Sequence, residues 1–463
     1  MASSARVLDF GWRITPALFL GLCLILGGAS ISGLPQNAAL QIIALAVLVG
    51  AAFRGGPIAL DPPVRRVAIS LISATAALIL LQLVPLPPAF WTALPGRAFV
   101  AETLRLVGLV PGWQPLTLTP NATLAAGLKF LPPIALFTAL VLQADTRAAT
   151  LSLWTILAVA LVSILLGVAQ LGQQHPELYF YTITNAQAAV GFYANTNHLA
   201  TLLLVAMAAA AGGSTVGAGG GAASFARGLH LFVLAAMALG IFMVGSRAGI
   251  ALMVPVLTGC ALIAFGIRLP IRPSPIATAI TLSALLAVAA GFYWVFVTQA
   301  HDTLPGPYTR EMLFENTLKL AGTYFPFGSG LGSFQSSYRL TEAADAATLF
   351  YVNHAHNDLV ELAADTGLAG LAILLLFLFG WTQRAIAIWS AKGRAYALAR
   401  AGSVGSAAML LHSLVEYPLR TAAGACLFAL CCALMFQTAT TPRAEDEDVR
   451  FRDFMRRSPS EAP

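Results

Sequence analysis

Apolar runs separated by short polar breaks fill almost the whole chain. A helix needs roughly 20 apolar residues to cross the hydrocarbon of a bilayer. Twelve runs qualify, at about 14–32, 38–53, 67–85, 122–142, 148–170, 197–212, 228–244, 247–267, 274–298, 366–388, 400–416 and 421–438. The second, sixth and eleventh are short. Arg6 and Arg13 before the first run resemble a secretory signal, but eleven further runs follow, and a retained first helix is the simpler reading. The pattern predicts an all-α polytopic membrane protein with about 12 transmembrane helices.

Composition excludes the soluble alternative. Of 463 residues, 58% are hydrophobic and only 10% charged, against about 25% charged in soluble domains. The net charge of +6 sits mostly in short loops, where it orients a membrane protein and does not indicate a nucleic-acid partner. Sorting Lys and Arg by alternate loops puts eighteen on the side of the N-terminus and seven opposite, with Lys129 inside a run. Both termini are then cytoplasmic. The layout is a cytoplasmic segment 1–13, a membrane domain 14–438 and a charged cytoplasmic tail 439–463. Long outer loops fall at about 86–121, 171–196 and 299–365. Six of the seven histidines lie on or near the outer side, which is where chemistry is expected. The five cysteines all fall within apolar runs and show no disulfide or zinc spacing.

Three outer segments carry most of the candidate chemistry. His354-Ala355-His356-Asn357-Asp358 runs into Leu359–Gly370. His356 and Gly367, eleven residues apart, return to nearly the same helical face, and Gly367 with Gly370 would let another helix approach closely. Asp358, Glu361 and Asp365 share a different face, either solvated or part of a site. His356 reads as a site residue or a helix-capping interfacial histidine; a metal pair with His354 lacks a third ligand nearby. Gly245-Ser246-Arg247-Ala248-Gly249 combines an N-cap serine with an arginine, an arrangement suited to phosphate, or else a snorkelling arginine that ends a run. The segment Pro305–Tyr338 contains Arg310, then Glu311, Glu315 and Lys319 at helical spacing. A glycine cluster follows at Gly328, Gly330 and Gly332. That cluster predicts a tight turn, with or without a phosphate cradle.

Weaker signals surround these. Gly191-Phe192-Tyr193-Ala194-Asn195-Thr196-Asn197-His198 offers aromatic and amide groups compatible with sugars. His412-Ser413-Leu414-Val415-Glu416-Tyr417-Pro418-Leu419-Arg420 puts His412 and Glu416 on one helical face. Lys129 is a cation within a run, just before Pro132-Pro133, and intramembrane cations are functional candidates by default. The tail's Asp446-x-Asp448 reads as a solvated charge run.

Taken in order, these segments resemble the bacterial O-antigen ligases and the related O-antigen polymerases and protein O-oligosaccharyltransferases. The carriers are His356-Asn357, nine residues, then Gly367-Leu368-Ala369-Gly370; the Gly191–His198, Gly245–Gly249 and glycine-cluster segments; the His412–Arg420 stretch; and Val84-Pro85-Leu86-Pro87-Pro88 at the first long loop. The resemblance covers roughly residues 80–420. It implies a metal-independent glycosyltransferase without cofactor, at the periplasmic face of the bacterial inner membrane. The implied donor is a glycan on undecaprenyl pyrophosphate. The acceptor would be a sugar hydroxyl, on lipid A-core for a ligase or on a growing glycan for a polymerase. It also implies that Arg247 and Arg310 hold the pyrophosphate and that His356 is the essential histidine. Asn357, Asn197, His198, Lys129, His412, Glu416 and Arg420 are the supporting candidates. The signature at His356–Gly370 favours a ligase over a polymerase. A transporter or lipid flippase is the alternative of another class, and the internal repeat usual in such proteins is not evident.

Overall fold

The computed structural model describes residues 2–31, 33–54, 60, 62–143, 146–172, 176–213, 221–298, 308–342 and 351–437. The expected tail at 439–463, its Asp446-x-Asp448, and His175 and His301 lie outside the described residues.

The described residues are predominantly helical. In order the helices are α1 (Ala2–Leu26), α2 (Pro35–Arg54), α3 (Pro62–Leu83), α4 (Pro88–Ala93), α5 (Arg97–Leu106), α6 (Pro120–Leu128), α7 (Leu131–Leu142), α8 (Thr146–Gly172) and α9 (Thr196–Gly213). There follow α10 (Gly221–Val244), α11 (Arg247–Ala264), α12 (Pro275–Thr298), α13 (Arg310–Tyr324), α14 (Phe334–Tyr338), α15 (Asp358–Ser390), α16 (Ala397–His412) and α17 (Ala422–Leu434). A two-residue antiparallel ladder, β1 (Pro85–Leu86) with β2 (Gln114–Pro115), closes the first long loop at its root.

A helix lies at each of the twelve expected positions. Among the described residues, eight segments are long and apolar enough to cross a membrane, and Gly11–Leu26, Gly228–Val244 and Ala422–Leu434 are apolar but shorter. The sixteen-residue α16, which carries Arg400 and His412, belongs to neither group. The protein is thus a helical chain with several candidate membrane spans, without twelve equivalent ones. Helix α1 begins at Ala2, so it takes in most of the segment expected to precede the first span.

At the centre stands α9, packed on by α8, α10, α11 and α16. Fifteen of its eighteen residues are buried. Its Ala-rich surface lets neighbours approach to backbone distance, the usual device for helices without a hydrophobic drive between them. The expected fourth span is broken in two. Pro132 and Pro133 cannot donate backbone hydrogen bonds, and their rings conflict with the preceding turn. The helix therefore ends at Leu128 and restarts at Leu131, with Lys129 at the joint.

Candidate functional site

The site is built on the entry to α15. Asn357 is its N-cap, and its side chain accepts from the amides of Leu359 and Val360 at 3.0 and 3.1 Å, satisfying two donors that the first helical turn leaves open. His356 just before it has φ of +50°, a left-handed conformation uncommon for a residue with a Cβ. The Asn357 candidate therefore shapes the helix end that presents His356.

Further along, the helical-face expectation gives way. Gly367 has φ 57° and ψ −144°, so α15 kinks there. A Cβ at that position would lie 2.0 Å from the Pro326 carbonyl oxygen. The close neighbour is the backbone of the glycine-rich turn, not a second helix, and Gly370 sits against Thr366 of its own helix. The turn is tight, as expected, but its amides are already engaged. Those of Ser329 and Gly330 donate to the carbonyls of Ala364 and Asp365, that of Leu331 to Gln82 Oε1, and that of Gly332 to Asp365 Oδ2. It is a support for α15 and offers no phosphate cradle.

Glu416 is the hub of the site. Helix α16 ends at His412 and Glu416 lies just beyond it, its amide still donating to the His412 carbonyl at 3.0 Å, and both side chains face α9. His412 Nδ1 is 2.9 Å from Thr201 Oγ1 on α9. The buried Glu416 carboxylate accepts from Arg310 Nη2, from Asn197 Nδ2 at 2.7 Å and from Asn195 Nδ2 at 3.4 Å. His356 Nδ1 lies 3.2 Å from Glu416 Oε2. Burial alone would raise the Glu416 carboxyl, but His356 and Arg310 against it hold it well below the usual carboxylate range. Arg310 is set by Thr309, which caps α13, and its Nε also donates to the Val415 carbonyl at 3.1 Å. The amphipathic helix read from Glu311, Glu315 and Lys319 is α13. Asn197 in turn accepts from Ser246 Oγ at 2.6 Å, and Ser246 caps α11 directly before Arg247, whose side chain is exposed. A continuous chain of contacts thus joins His356, Glu416, Asn197 and Ser246, next to Arg247.

A second hub faces it across Tyr417. Arg420 lies 2.9 Å from Asp358, 3.4 Å from Glu361 and 3.7 Å from Asp365. The acidic stripe of α15 is therefore buried against a cation and is not a solvated face. Burial acts to lower the Arg420 guanidinium, yet the three carboxylates raise it above its ordinary value. Glu361 also accepts from the Ala355 amide and holds His354 Nδ1 at 2.8 Å. The two histidines therefore point to different carboxylates. Among the described residues no group of three His, Cys, Asp or Glu side chains is placed to hold a metal. His198, His354 and His356 all pack on the Tyr417 ring, with centroids 5.1, 4.6 and 4.8 Å away. Burial, then the nearby Glu416, raises the Tyr417 phenol far above its ordinary value.

Beyond the second hub opens a cavity of about 550 Å³. Its polar end carries Lys129, Asp358, Glu361 and Arg420, and its walls are apolar residues of α12, α15, α16 and α17. Lys129 donates to the Ser30 carbonyl at 3.0 Å.

Of the sequence candidates, the structure gathers Asn197, Arg310, His356 and Glu416 into direct contact and keeps Arg247 one residue from that network. It puts Lys129 and Arg420 on the lining of the cavity and His412 against α9. Tyr417 carries no signal of its own within its motif, Asn195 reads only as a sugar-compatible amide and is instead turned on Glu416, and the pairing of Arg420 with Asp358, Glu361 and Asp365 leaves no trace in their spacing.

A family model described as O-antigen ligase matches residues 232–375, which supports membership of the chain in the O-antigen ligase family. That segment contains Arg247, Arg310 and His356. No curated protein matches the chain by sequence.

Proposed function

We propose that this protein transfers a glycan from undecaprenyl pyrophosphate to a sugar hydroxyl at the periplasmic face of the bacterial inner membrane, as an O-antigen ligase. The observation that carries the reading is the convergence on Glu416: residues from four separate sequence motifs meet around one buried carboxylate.

The chemistry follows from that arrangement. A carboxylate beside imidazole Nδ1 favours the tautomer with its proton there, leaving the Nε2 lone pair to act as base. His356 takes the proton from the acceptor hydroxyl as that oxygen attacks the anomeric carbon. The new glycosidic C–O bond forms while the bond from carbon to pyrophosphate oxygen breaks, and the electron pair leaves with the pyrophosphate. Arg310 and Arg247 supply positive charge to the leaving group. Asn197 and Asn195 hold Glu416, and through it the histidine. The 550 Å³ cavity is of ligand size, and its apolar walls suit a lipid chain belonging to donor or acceptor.

Deleting the gene and examining surface polysaccharide tests the assignment. A ligase is expected to leave polymer on its lipid carrier with none attached to lipid A-core. Single repeat units on core would instead mark a polymerase, and unaltered polysaccharide would reject both.

A further inference from the structure

The first long loop has a surface that the proposed chemistry does not use. From the last residue of α5 onward the chain reads Leu106-Val107-Gly108-Leu109-Val110-Pro111-Gly112-Trp113, without one polar side chain. Leu106, Val107, Val110 and Trp113 are 79, 67, 90 and 66% exposed, and Phe90, Phe99 and Leu109 beside them are exposed too. Contiguous exposed apolar surface of this kind marks a contact with a membrane or another molecule.

The inner side of the same loop is fixed. Trp91 is buried and donates from Nε1 to the Pro115 carbonyl at 2.9 Å. Arg97, fully buried, donates to the carbonyls of Leu116 and Gly328. Helix α5 therefore turns Arg97 and Ala101 inward and Phe99 and Leu106 outward.

Position identifies the occupant. The β1–β2 ladder begins two residues after α3 ends, and α3 is a candidate membrane span. Val110 is four residues from Gln114 of that ladder, so it reaches at most about 14 Å from it. Leu80 and Leu81 near the end of α3, Val84 just after it and Phe90 on α4 are all exposed apolar residues close in sequence to the ladder. The continuity with a candidate membrane span favours lipid as the occupant, and Trp113 and the exposed Arg105 beside Leu106 suit a lipid interface.

We infer that Leu106–Trp113 is an interfacial anchor, seated in the phospholipid leaflet adjoining the site. Because Arg97 ties this loop to Gly328, the anchor also fixes the height of the turn that supports α15.

The test uses the full-length protein in phospholipid vesicles with a nitroxide on Val110→Cys, and separately on Leu106→Cys. Four native cysteines are buried and Cys432 is half-buried, and labelling of the unsubstituted protein gives the background. Collision of the label with oxygen, relative to a water-soluble nickel chelate, is compared with Leu165→Cys on the exposed face of α8 and with Glu102→Cys on α5. At positions 106 and 110 the ratio is expected to match Leu165→Cys and to exceed Glu102→Cys several-fold. A ratio equal to that of Glu102→Cys puts the segment in water and overturns the inference. Spin–spin broadening that vanishes on dilution with unlabelled protein means a second copy covers it, and overturns it as well.

Discussion

Two buried clusters flank Tyr417 with opposite constructions. Around Glu416, one carboxylate is surrounded by Arg310, His356, Asn195 and Asn197. Around Arg420, one cation is surrounded by Asp358, Glu361 and Asp365. The first can gain a proton at His356 or meet an anion without leaving its carboxylate unpaired. The second sets three acidic side chains on one guanidinium and cannot lose Arg420 without stranding them. On the proposed reading the first cluster carries the reaction, and the second is a lock on the entry to α15.

From that contrast, the largest expected effect on folding is that of Arg420→Ala. Removing one partner of a buried ion pair costs about 3–5 kcal/mol, and here three carboxylates lose theirs. The variant should accumulate poorly in membranes and unfold well below wild type in detergent. Normal accumulation and melting would show that the acids are solvated. Gly367→Ala probes the same lock from the turn side. An alanine there combines a disfavoured φ with a Cβ 2.0 Å from a carbonyl oxygen, and the strained backbone alone costs about 1–3 kcal/mol. Its melting temperature should fall, and Gly370→Ala, whose added Cβ would lie 2.6 Å from the Cβ of the buried Thr366, should destabilise as well.

The reactive cluster should respond in turnover. Arg310→Ala and Arg247→Ala are each expected to insert normally yet lose transfer. Loss of a charged hydrogen bond of about 1.5–3 kcal/mol would correspond to at least tenfold at Arg310. Arg→Lys should restore only part, because an ammonium cannot reproduce the guanidinium fork. Full activity in a reconstituted assay would remove that arginine from the site. The smallest expected effect is that of chelation: turnover with lipid-linked donor should be unchanged in excess EDTA. A loss restored by magnesium or manganese would return His354 and His356 to consideration as metal ligands.

The asymmetry between the two clusters also marks what sequence could reveal. Hydrophobic runs located a helix at every expected span, and the Glu311, Glu315, Lys319 spacing found α13, because periodicity reports which face is apolar. The same spacing put Asp358, Glu361 and Asp365 on one face but could not name Arg420, about sixty residues later, as their partner. Gly367 signalled close approach, yet a glycine does not say whether the neighbour is a helix or, as here, a turn. His412 and Glu416 were legible as neighbours by their spacing, and both do face α9, but nothing in that spacing said that Thr201 and Asn197 would be their partners. Tyr417, which three histidines touch, and Arg97, which ties a loop to the turn, carried no readable signal. Their importance lies in contacts between distant segments.

The central claim is that His356, held by Glu416, takes the acceptor proton, while His354, held by Glu361, belongs to the lock. The most direct measurement is the turnover number of His356→Gln and His354→Gln in vesicles supplied with lipid-linked donor and acceptor, with donor binding measured alongside. A positioned base contributes about 10²–10⁴-fold. His356→Gln should therefore lose that much rate with donor binding retained, and His354→Gln far less. A His356→Gln protein turning over near the wild-type rate would contradict the account, since glutamine can orient a hydroxyl but cannot take its proton.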